Sequence, residues 1–98
     1  MNEKLKYVRG SGNIFVDVGF DKAEAESLKL RFDLMMKIED FYRKSGMTQS
    51  EAAKMLGLSQ PRLNALLKGR LRLFSLDALV NIASRAGLNV RLVVKKAA

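Results

Sequence analysis

Between Thr48 and Gly69 the chain carries start and stop signals for two short helices separated by only three residues. Thr48 and Glu51 form a T-x-x-E capping box, and Gly57 is a natural left-handed terminator after Leu56. Ser59 then caps a second helix with Pro61 in its first turn, where the missing N–H breaks no intrahelical bond, and Lys68-Gly69 ends it. Helices this short and this close must cross steeply. That needs a small residue at the crossing, a glycine in the turn and apolar anchors on both sides. Ala53, Gly57 and Leu58, with Leu63 and Leu66, fit those positions, although an ordinary helical hairpin uses the same residue types.

The flanking segments carry equally readable ends. Asp21 with Glu24 predicts the cap of a long helix running to Lys44 and Gly46, and Ser75 predicts the cap of another ending at Ala86-Gly87. The long helix is apolar over a sector far wider than a one-sided stripe, from Leu28, Leu30 and Phe32 through Leu34, Met35, Met36 and Ile38 to Phe41 and Tyr42. It should therefore be covered on two sides, by the core and by either the N-terminal segment or a partner. In the last helix Leu76, Leu79, Val80, Ile82 and Ala83 are expected to be buried. Leu88, Val90, Leu92 and Val94 alternate as in a half-buried strand, as do Ile14, Val16, Val18 and Phe20, so a small sheet joining the two ends is possible. Gly10-Ser11-Gly12 is the plausible hinge. The expected fold is mainly α: one helix-turn-helix domain over 1–98, with an N-terminal segment at 1–20, the helix-turn-helix at 48–69 and a C-terminal strand at 88–95.

Charge and composition narrow the function. Residues 1–53 carry nine basic and nine acidic side chains, whereas residues 54–98 carry nine basic ones and only Asp77, so the net charge of +8 belongs to the second half. Such asymmetry favours a polyanionic partner, nucleic acid before an anionic membrane or an acidic protein, against the alternative of a solubilising surface. There is no cysteine or histidine, so thiolate and imidazole metal sites and Ser-His or Cys-His pairs are excluded. No cofactor and no enzymatic activity are expected, and Glu24, Glu26, Glu39 and Asp40 are spaced like exposed helix faces. No apolar stretch follows the charged Met1–Lys6, which points to neither export nor membrane insertion and to a cytoplasmic protein.

With Leu63, Leu66 and Leu67 turned inward, the second short helix presents Pro61, Asn64, Ala65 and Lys68, flanked by Gln60 and Arg62, on a face without acids. A helix entering the major groove needs such a face. Gln60 could bond adenine bidentately, Arg62 could reach guanine, and Pro61 or Ala65 could touch a thymine methyl. Lys68, Arg70 and Arg72 are candidate phosphate ligands, and Gln49 with its helix N-terminus is another. For each of these residues the competing reading is a solvated surface position.

The run Thr48-Gln49-x-Glu51-x-Ala53-x-x-x-Gly57-x-Ser59-Gln60, followed by Leu63, Leu66 and Gly69, resembles the helix-turn-helix of phage repressors and Cro, the XRE family. The resemblance implies that Gln60, Pro61 and Ala65 face bases and that Gln49 and Lys68 meet phosphates; Pro61 departs from the usual polar residue. Ser11-Gly12-Asn13-Ile14-Phe15-x-Asp17-x-Gly19-Phe20, the long helix, and Gly69-Arg70-x-Arg72-x-Phe74-Ser75-Leu76-Asp77 resemble the compact XRE proteins related to HigA-type antitoxins. That implies a repressor of its own operon, a homodimer on a near-palindromic duplex DNA operator, and a small RelE/HigB-like toxin as partner. A protein-interaction module without specific DNA binding, or a free-standing phage-type or plasmid-type repressor, are the alternatives.

Overall fold

In the computed structural model, which describes residues 13–96, five α-helices follow one another: α1 (Ile14–Asp17), α2 (Lys22–Ser45), α3 (Gln49–Leu56), α4 (Gln60–Leu67) and α5 (Leu76–Arg85). A single 3-10 turn, Leu71–Leu73, lies between α4 and α5. The hinge expected at Gly10-Ser11-Gly12 and most of the N-terminal segment lie outside the described residues. None of the described helices is long and apolar enough to cross a membrane.

The capping residues act as their types dictate. Asp21 accepts a bond from the Glu24 N–H, Ser59 from Arg62 and Ser75 from Ala78, while Thr48 and Glu51 complete both halves of the capping box. After α3 the Leu58 N–H bonds the Ala53 carbonyl at 2.8 Å and the Gly57 N–H bonds Lys54 at 3.2 Å, a Schellman closure. It requires the positive φ of 71° found at Gly57. A Cβ there would also meet the Arg85 guanidinium of α5 at 3.2 Å, a contact that this exposed side chain can relieve by a small shift, so the constraint on Gly57 is its backbone conformation.

The core lies where these helices cross. Met35 and Ile38 of α2, Ala52, Ala53 and Leu56 of α3, Leu63 and Leu66 of α4, Phe74, and Leu79, Ile82 and Ala83 of α5 form one buried cluster. An eight-residue helix is unstable alone, so α3 and α4 depend on this shared burial for their existence. In α5, Leu76 and Val80 are each 37% exposed rather than buried as the sequence suggests, because the inward stripe is set by Leu79, Ile82 and Ala83.

Among the described residues there is no strand. The alternating run after Asn13 is instead the short helix α1, and the reason is local. Asn13, 6% exposed, accepts a bond from the Phe15 N–H through its side chain and donates from Nδ2 to the Ala25 carbonyl at 3.1 Å, which curls the chain and ties it to α2. Phe15 then stands edge-on to both Phe20 and Phe32, each at 6.2 Å. Thus α1 covers part of the spare side of α2, leaving Leu30, Phe32 and Met36 between 42% and 48% exposed. Without a strand at Ile14 to Phe20 the C-terminal run has no pairing partner among the described residues: Leu88 is held by a bond from its N–H to Ala83, and residues 89–96 run on exposed and without a ladder there.

Asn13→Ala is expected to destabilise the protein by about 1–3 kcal/mol, since it removes the buried bond to the Ala25 carbonyl and leaves the Phe15 N–H without its cap. Ile14→Ala, at a side chain 61% exposed, should stay within about 0.5 kcal/mol. Urea unfolding compares them, and equal effects would contradict Asn13 as the tie between α1 and α2.

Candidate nucleic-acid interface

The outward face of α4 is a direct consequence of its inward one. Burial of Leu63 and Leu66, with Leu67 half-buried behind them, turns Gln60, Pro61, Asn64 and Lys68 to solvent, and all four are exposed. Pro61 occupies the first turn, so its ring extends the apolar part of this surface without breaking a helical bond. Ala65, expected on the outward face, is only half-exposed. Its methyl packs against the core while its carbonyl accepts the Arg70 N–H at 3.1 Å, in the turn that ends the helix.

Gln49 lies exposed at the first position of α3, beside N–H groups that no preceding helical turn can satisfy. The turn after α4 is again a Schellman closure, from Gly69 to Leu66 and from Arg70 to Ala65. It redirects the chain so that Arg70 and Arg72 follow Lys68 at the C-terminal end of α4. Neither α4 nor the connection Lys68–Phe74 contains an acid, so the positive charge there is not cancelled within the segment. Lys68 and Arg70 form no ion pair among the described residues, whereas Arg72 meets Glu24 of α2 at 3.3 Å and lies 5.7 Å from the Phe20 ring.

Arg62 departs most from its expected place. Instead of extending outward toward a base, its guanidinium donates to the Leu73 carbonyl at 2.8 Å and stacks 4.2 Å from the centre of the Phe74 ring. The physical cause is proximity: the 3-10 turn brings an unpaired carbonyl and an aromatic face within reach of an arginine one turn into α4. Arg31 of α2 approaches the same connection from the other side, 3.4 Å from the carbonyls of both Leu71 and Phe74. Sequence reasoning passed over Arg31, and no local pattern distinguishes it from any other arginine on an amphipathic helix. Phe74 was visible as an aromatic before a helix cap, but its pairing with Arg62 depends on how the connection folds back.

A helix-turn-helix domain family model matches residues 14–95. A solved structure described as that of an XRE-family transcriptional regulator superposes with a TM-score of 0.70 at 26% identity, covering 76% of this chain and 83% of that one. No curated protein matches. With the family model spanning α1 through the C-terminal segment, and the fold shared with an XRE-family regulator, this chain belongs to the helix-turn-helix domain family and its helix-turn-helix is of the XRE type.

Proposed function

We propose that this protein is a sequence-specific DNA-binding transcriptional regulator, a repressor that acts as a two-fold dimer on a near-palindromic operator. One observation carries the reading: α4 offers an exposed, acid-free face, Gln60, Pro61 and Asn64, continued by Lys68 and Arg70, which form no ion pair among the described residues. In the major groove Gln60 reads adenine, Pro61 and the accessible part of Ala65 contact thymine methyls, and Asn64 reaches a neighbouring base edge. Gln49, Lys68, Arg70 and Arg72 hold phosphates on either side, Arg72 after release from Glu24. Family membership and the XRE-family structural neighbour support the same reading.

The finer role we assign is antitoxin of a toxin–antitoxin pair that represses its own operon. Its support is the HigA-like pattern of residues 11–20 and 69–77, together with the exposed apolar side chains Leu30 and Met36 on α2, which suit a small protein partner.

Two copies are needed because one short recognition helix reads too few base pairs to choose a site in a genome. The C-terminal segment supplies a means of pairing. Residues 89–96 have no ladder bonds among the described residues, with Leu92, Val93 and Val94 between 73% and 82% exposed, and the same segment of a second copy serves both when paired edge to edge across the two-fold axis.

Gln60→Ala should weaken binding to the best duplex by about 1–3 kcal/mol and relax preference at one base position per half-site. Thermal stability should hardly change, because Gln60 is exposed outside the core. Selection from a randomised duplex pool, with melting as control, measures both; unchanged base preference would remove Gln60 as a reader. Truncation after Gly87 should convert the dimer to a folded monomer in sedimentation, and an intact dimer after truncation would eliminate the strand pairing.

A further inference from the structure

We infer that Arg62 is a positioning residue, which locks the phosphate-binding connection 69–73 to the recognition helix and reads no base itself. The inference rests on the DNA-binding reading above and concerns which of its arginines touch DNA. Three observations carry it. The Arg62 guanidinium has two partners within the fold, the Leu73 carbonyl at 2.8 Å and the face of Phe74 at 4.2 Å. Phe74 is itself 1% exposed, so the ring is a fixed platform rather than a mobile surface group. Arg31 braces the far side of the same connection through the Leu71 and Phe74 carbonyls, so the segment bearing Arg70 and Arg72 is held by two arginines from two helices.

The chemistry suits a brace better than a base contact. A guanidinium is planar, and it can stack on an aromatic face while donating in its own plane, which an ammonium cannot do. Reading guanine would require Arg62 to give up both contacts and would release Leu73, which is already half-exposed, from its only tie to α4 among the described residues. Holding the connection in place before DNA arrives reduces the ordering cost of binding, because the backbone that carries Lys68, Arg70 and Arg72 is then already set, although the Arg72 side chain must still leave Glu24.

Arg62→Lys and Arg62→Ala, beside wild type and Gln60→Ala, should be titrated with the wild-type protein's preferred duplex, selected from a randomised pool, and with an unrelated duplex, at several salt concentrations. Wild type with six phosphates neutralised by two protomers should give a log–log salt slope near −5. Both Arg62 variants are expected to bind preferred and unrelated duplexes more weakly by a similar factor, roughly three- to tenfold, from loss of one hydrogen bond and one cation–π contact. Base preferences and the salt slope should stay as in wild type. In wild-type NMR spectra the Arg62 side-chain protons should be shifted upfield by the Phe74 ring, and that shift should persist in the DNA complex, which decides the matter even if the alanine variant fails to fold. Relaxed preference at one base position, a slope shallower by about one phosphate per protomer, unchanged affinity, or loss of the ring shift on DNA would each overturn the proposal. Failure of wild type to bind any duplex at low salt would instead overturn the DNA-binding reading on which it depends.

Discussion

The crossing of α3 and α4 is the constraint on which the rest of the molecule depends. Each helix has only eight residues, too few to persist in water, and each exists because Leu56, Leu63 and Leu66 are buried against Ile38, Met35, Leu79 and Ile82. Ala52 and Ala53 keep the approach close, and Gly57 turns the chain through a conformation that other residues enter only with strain. Once that packing is set, the rotation of α4 about its axis is set as well. The outward position of Gln60, Pro61, Asn64 and Lys68 is therefore a property of the core rather than of those residues, and their polar chemistry is free to serve a ligand.

The connection after α4 has a different character. Phe74 is buried and Leu71 packs against the core while Leu73 stays exposed, and the rest of its shape comes from the Gly69 turn and from arginines that donate to its carbonyls. Charge in this region is thus divided by use. Arg31 and Arg62 are engaged with backbone and ring, Arg72 with Glu24, and Lys68 and Arg70 remain available to a polyanion. Arg31 and Arg62 keep their charge while bonded to neutral groups, so they still add to the positive field although their donors are committed to the fold.

Helix boundaries were legible because capping is a local matter: Asp21, Thr48, Ser59 and Ser75 bond groups three residues away, so sequence alone contains both partners. The alternation at Ile14 to Phe20 misled for the opposite reason. Strand formation needs a second backbone, whereas the competing helix needed only the Asn13 cap and an aromatic contact with Phe32, which sequence spacing does not reveal. The same distinction separates the site residues. Exposure of Gln60 follows from periodicity, while the folding of the Arg62 side chain back along the surface depends on a carbonyl and a ring eleven and twelve residues away.

The central claim, that the face of α4 with its flanking turns is where a nucleic acid docks, is tested most directly by titrating isotope-labelled protein with a duplex and following every amide. The account predicts the largest shifts at Gln49 and Ser50, along Gln60 to Lys68, and at Gly69 to Arg72, with α1 and the middle of α2 unmoved. Shifts concentrated on Leu30, Phe32 and Met36 of α2 instead, or none at low salt, would contradict it.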